Sequence, residues 1–199
     1  MLWRNPLSVI SSRFHSFGNK WRIYNYKVDL YQGLSSLIKF CEQNREEVIL
    51  LNYENLVRDP KEEFSRVFKH LELEPNESVL SEFHKLDLKG SQGDRTGRYQ
   101  YDAVSEEPLE KYQETLCNPL RRYWAAKYIR WIGKERLALM GYELDELLLL
   151  VEKTSRGNRH LISDLARCVY GFLDEIFELS FIRSKISRKF RGKDMYVHR

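Results

Sequence analysis

The chain has no long apolar run, no paired cysteines and no phosphate loop of the GxxxxGK[ST] kind, and each absence removes a class of protein. No stretch approaches the roughly 18 to 20 apolar residues that a membrane-spanning helix needs, so a transmembrane segment is not expected. The first residues, MLWRNPLSVI, lack the basic region, continuous apolar stretch and small-residue cleavage site of a secretory leader, which makes the cytoplasm the expected location. Three cysteines, Cys41, Cys117 and Cys168, lie far apart with no CxxC pair and no histidine at ligand spacing. That spacing argues against a disulfide framework and against a zinc site, and predicts buried thiols.

What is present is core material: 199 residues, 42% apolar and 13% aromatic, enough for one compact domain with an appendage. The formal charge is only +4, but it is unevenly placed. Residues 183–199 hold seven Lys or Arg against one Asp, while everything before them holds 26 basic against 28 acidic residues. The basic character belongs to the tail.

Periodicity and capping signals divide the chain. Pro6 suits the first position of a helix running through about His15, with Gly18 and Asn19 breaking it. The aromatic-rich WRIYNYKV that follows reads as a short strand or as an irregular loop. Asp29 is placed to cap a helix whose apolar positions Leu30, Leu34, Leu37, Ile38 and Cys41 keep helical spacing. The run Val48-Ile49-Leu50-Leu51 is short, apolar and β-branched, as a buried parallel strand should be. Asp59-Pro60 then opens a helix with Phe64, Val67, Phe68 and Leu71 as its stripe, giving an αβα unit. A further helix is expected over Glu77 to Leu86, a long loop from Asp87 to about Glu107, and helix again over 108–153. Asn118-Pro119 starts a long segment there that should end near Gly141. From about Asn158, Leu161, Ile162, Leu165, Val169, Phe172, Leu173, Ile176 and Phe177 recur at helical spacing before the basic tail. The expected division is residues 1–153 and 154–199.

Three segments carry chemistry. In Arg4-Asn5-Pro6, with hydroxyls at Ser8, Ser11 and Ser12, an arginine fork stands beside a helix N-terminus, where free N–H groups and the helix dipole favour an anion. In Leu51-Asn52-Tyr53-Glu54-Asn55-Leu56-Val57-Arg58-Asp59-Pro60, a strand end presents a flat ring and a hydroxyl suited to a nucleobase. In Lys89-Gly90-Ser91-Gln92-Gly93-Asp94-Arg95-Thr96-Gly97-Arg98-Tyr99, glycine amides and cations could form an anion nest.

In this order the three segments resemble the sulfotransferases that use 3′-phosphoadenosine 5′-phosphosulfate (PAPS), over about Trp3 to Asp145. The resemblance implies an α/β protein with the P-loop-like sulfotransferase fold, and sulfuryl transfer to a hydroxyl or amine of a carbohydrate or small molecule. It assigns Arg4 and Ser12 to the 3′-phosphate, Tyr53 to the adenine, and Glu54 to a structural role. Lys89-Gly90 in one register, or Gly97-Arg98-Tyr99 in another, would close over the 3′-phosphate, although the tryptophan of the family is absent from both. Only three residues precede Arg4, too few for the strand, loop and helix that hold the 5′-phosphosulfate in the family, so a partial domain is expected. The resemblance marks none of His15, His70 or His84 as the base, and no catalytic residue is assigned.

The last segment admits a different reading. An apolar helix face leading into Arg183, Lys185, Arg188, Lys189, Arg191 and Lys193 can lie on an anionic membrane surface through residues 161–199, or pack on the domain with its charges in water. With it goes the alternative of a non-catalytic protein that binds anions or membrane surfaces. Nucleic acid is not an expected partner, because the basic stretch has only Phe190 and Tyr196 as aromatics and no fold signature.

Overall fold

Two short parallel strands organise the N-terminal part: β1 (Leu2–Trp3) lies beside β2 (Leu51–Asn52), with Leu2 opposite Leu51 and Trp3 opposite Asn52. The computed structural model describes residues 1–15, 18–76, 78, 80, 106, 109–154 and 156–177. Among them the chain is mostly helical around this small sheet, which bears out the α/β class in its coarser form. The strand expected over Val48–Leu51 is corrected to Leu51–Asn52, because β1 offers a ladder only two residues long. Ile49 still runs alongside, its carbonyl accepting from the Met1 ammonium at 2.7 Å.

Each strand feeds a helix. β1 runs into α1 (Pro6–His15), whose Leu7, Ile10 and Phe14 are buried at helical spacing. β2 runs directly into α3 (Tyr53–Arg58). The segment before β2 is a 3-10 turn at Ile23–Tyr26, a π-helical stretch at Val28–Gly33 and α2 (Leu34–Gln43). The open reading of WRIYNYKV thus resolves as helical turn, and the expected cap at Asp29 is corrected. A cap needs non-helical backbone, and Lys27 before it is already helical, with φ −55° and ψ −40°. Asp29 instead pairs with Arg13 at 3.3 Å on the surface.

After β2 come α3 (Tyr53–Arg58) and α4 (Pro60–His70). The Asp59 carboxylate accepts the Glu62 N–H at 3.1 Å and Pro60 occupies the first turn, as its sequence position predicts. Phe64, Val67 and Phe68 are half-buried, whereas Leu71 is exposed beyond the helix end. The helix expected at Glu77 to Leu86, the loop from Asp87 to Glu107 and the tail 183–199 lie outside the described residues, save Ser78, Leu80 and Glu106.

The C-terminal half continues with α5 (Tyr112–Thr115), α6 (Pro119–Ile132), α7 (Lys134–Leu139), α8 (Leu144–Lys153) and α9 (Leu161–Phe177). Asn118 caps α6, accepting from the Arg121 N–H at 3.0 Å. The long helix expected to reach Gly141 stops earlier, at Gly133, whose φ of +84° only glycine adopts without strain. Buried Ala125, Tyr128, Ile129 and Ile132 of α6 meet α1, α2 and α8 in one core. Trp21, Trp124, Tyr128, Trp131 and Tyr31 add a chain of ring contacts with centroids 4.5 to 6.0 Å apart. Of the three thiols, Cys41 and Cys117 are buried as expected, but Cys168 is exposed on α9.

Candidate anion site at the strand ends

Parallel pairing puts the exits of β1 and β2 side by side, and in open α/β sheets ligands gather at such carboxyl ends. Arg4 leaves β1 there and Tyr53 leaves β2. The Arg4 guanidinium carbon lies 4.5 Å from the centroid of the Tyr53 ring, within cation–π range. Two residues 49 positions apart, each singled out by its segment, are thus brought together. Tyr53 is the first residue of α3 rather than a strand residue.

Glu54 holds this junction. One carboxylate oxygen accepts the Asn5 N–H at 3.0 Å, and the other accepts the Tyr142 hydroxyl at 2.6 Å. Glu54 is therefore committed to tying β1, α3 and the α7–α8 turn together, the structural role the resemblance gave it. Burial first, and then the hydrogen bond to Glu54, push the Tyr142 phenol well above its ordinary range, so it stays a donor. Asn52 donates to the Met140 carbonyl at 2.8 Å and packs against Gly141, where a Cβ would lie 2.8 Å from its Oδ1. Asn5 also turns its Oδ1 toward α1, accepting the Leu7 N–H at 2.9 Å.

The serines divide. Ser8 donates to the Leu109 carbonyl at 3.3 Å and Ser11 shares a 2.6 Å hydrogen bond with Thr115 of α5, and both serines are buried. They lock α1 in place and face away from solvent. Ser12, eight residues after Arg4, is exposed. Lys89, Gly90 and Arg98 lie outside the described residues. His15 lies 3.4 Å from Thr115 Oγ1, and His70 is 3.1 Å from the Glu47 carbonyl oxygen on the surface. No group of three or more metal-ligating side chains occurs among the described residues.

Asn5 and Asn52 lie in two of the segments and Gly141 marks an expected helix end, but the sequence assigned to none of them, nor to Tyr142, a role at this junction. Tyr142 directly after Gly141 was the available signal, since a glycine at a helix end often marks a close backbone approach.

The described residues thus form an α/β protein in which an arginine stacks on an aromatic ring at the ends of two parallel strands. Residues 1–77, which carry both side chains, match the family model described as "Sulfotransferase family", so the resemblance read from the sequence is borne out over that segment. The match associates the chain with sulfuryl transfer. No curated protein and no solved structure matches the chain.

Proposed function

We propose that the chain takes part in sulfuryl transfer from PAPS to a hydroxyl or amine of a carbohydrate or small molecule, and that its strand-end site holds the 3′-phosphoadenosine portion of that donor. The reading rests on the stacking of Arg4 on Tyr53 within the matched segment. The residues present fit such a group. Arg4 carries a planar fork suited to a phosphate, held against a ring that restricts its rotation. The N-terminus of α1 adds the positive end of a helix dipole beside it. Tyr53 offers a hydroxyl to a base nitrogen. One face of its ring is taken by Arg4.

PAPS, when bound, would supply the activated sulfuryl group, and the residues described here would bind and orient its nucleotide end. Sulfuryl transfer needs in-line attack, charge stabilisation and a base for the acceptor, and none of those roles is assigned to a residue here. The fold that goes with this reading is the P-loop-like sulfotransferase fold.

Isothermal titration calorimetry with 3′-phosphoadenosine 5′-phosphate tests this. Arg4→Ala should weaken binding by about 10- to 100-fold, the loss expected for a charged hydrogen bond. Tyr53→Ala should weaken it through both the ring and the loosened guanidinium, and Tyr53→Phe by less. Absent or only millimolar affinity in the wild type would remove the proposal.

A further inference from the structure

Glu54 places a carboxylate beside the side chain that the strand-end site uses as a cation. Its Oε1 accepts the Asn5 N–H at 3.0 Å, and covalent geometry then puts that oxygen within about 5.5 Å of the Arg4 Cα, a distance an arginine side chain spans. The Arg4 guanidinium carbon lies 4.5 Å from the centroid of the Tyr53 ring, and Tyr53 is the residue next to Glu54. Both carboxylate oxygens are nevertheless held elsewhere, Oε1 by Asn5 and Oε2 by Tyr142.

Tyr142 is a donor fixed from several sides. Its own N–H donates to the Leu137 carbonyl at 2.9 Å, and the preceding Gly141 has a φ of +83° and abuts Asn52. Asn52 in turn donates to the Met140 carbonyl at 2.8 Å, which ties the same turn to the end of β2. The phenol therefore cannot follow Glu54 if the carboxylate turns, and its 2.6 Å bond sets the orientation of that carboxylate. Arg4 is close enough to act on the same hydroxyl. Burial and then the Glu54 bond raise the pKa of Tyr142, while Asn52 and the charge of Arg4 oppose them. A cation, an anion and a neutral phenol thus share one small volume.

Removing the phenol takes away the donor of Glu54 Oε2, and a carboxylate oxygen without a donor turns to a cation within reach, here Arg4. An arginine engaged by an internal carboxylate binds a phosphate less well, because the two anions compete for the same fork. We infer that Tyr142 is a positioning residue for the strand-end site: its hydroxyl holds the Glu54 carboxylate off the Arg4 guanidinium, so that Glu54 does not compete with an incoming anion for Arg4. The consequence for nucleotide affinity rests on the reading proposed above, whereas the relation among Tyr142, Glu54 and Arg4 does not.

Two measurements on the full chain separate these, with circular dichroism to check that each variant is folded. The first is NMR of the Arg4 Nε–H group without any nucleotide, its resonance assigned through Arg4→Lys. The resonance should move in Tyr142→Phe, as the guanidinium acquires a carboxylate, and should return toward its original position when Glu54→Gln is added. Glutamine keeps an oxygen for the Asn5 N–H but carries no charge. The second is calorimetry with 3′-phosphoadenosine 5′-phosphate. Tyr142→Phe should weaken binding by about three- to tenfold, and adding Glu54→Gln should restore most of it. A tyrosine that served only to support the fold would give the opposite result, since the second substitution would deepen the loss. An Arg4 resonance that stays in place in Tyr142→Phe overturns the inference, as does a double variant that binds the nucleotide more weakly than Tyr142→Phe alone. If the wild type binds no nucleotide while the Arg4 resonance moves and returns as described, the nucleotide reading is lost and the positioning role of Tyr142 stands.

Discussion

Replacing Asp164 with alanine leaves a charged guanidinium sealed in the protein without its counter-ion. Both Arg121 and Asp164 are fully buried. All five Arg121 donors are used: two on Asp164, two on the Asn19 side chain and carbonyl at 2.8 and 2.7 Å, and one on the Thr115 carbonyl at 3.1 Å. The guanidinium carbon also sits 4.3 Å from the Phe14 ring centroid. Asp164→Ala therefore removes two of five hydrogen bonds and the only carboxylate in that set. Breaking a buried pair from one side costs about 3–5 kcal/mol, against a total stability on the order of 5–15 kcal/mol for a domain. Urea denaturation followed by circular dichroism should show a large fall in midpoint, and hydrogen exchange should show α9 losing protection first. Arg121→Met combined with Asp164→Leu removes both charges and should recover much of the loss, because the desolvation cost disappears with the attraction. If Asp164→Ala stays within about 1 kcal/mol of the wild type and α9 keeps its protection, the pair does not hold α9 on the body.

Gly141→Ala should destabilise by about 1–3 kcal/mol, since φ is +83° and the new Cβ would meet Asn52 Oδ1 at 2.8 Å while Asn52 is held on Met140; a melting temperature equal to the wild type would refute the close approach. The contribution of Tyr128 and Tyr142 to stability should be constant below pH about 10 and be lost as the pH rises above it. Burial raises the pKa of Tyr128 and Tyr142 in the folded chain, so above that pH the unfolded chain releases protons that the folded chain keeps. Urea midpoints measured through this range should decline less steeply in Tyr142→Phe, and an unchanged slope would argue against a buried, protonated phenol.

Local signals carried a good part of this protein. Asp59-Pro60 and Asn118-Pro119 start helices where those pairs predict them, because capping is chemistry between neighbours. Pro6 likewise opens α1, and the spacing from Leu161 to Phe177 is that of α9. Arg4 and Tyr53 were legible through their segments, and the Glu54 role followed from the same resemblance. Asp29 shows the limit of such signals, since a capping residue type has no effect where the preceding backbone is already helical.

Only the tertiary structure decided which of these residues meet and which way they face. The Tyr142–Glu54 bond joins residues 88 positions apart and the Arg121–Asp164 pair joins residues 43 apart, distances at which one sequence contains no partner information. The sequence by itself determined that α9 would be amphipathic, since periodicity is a property of consecutive residues. That its apolar side turns outward is a different kind of fact. Among the described residues the side of α9 that meets the body is the one carrying Asp164, whose buried carboxylate pairs with the buried Arg121 guanidinium, and that contact exists only once the chain has folded.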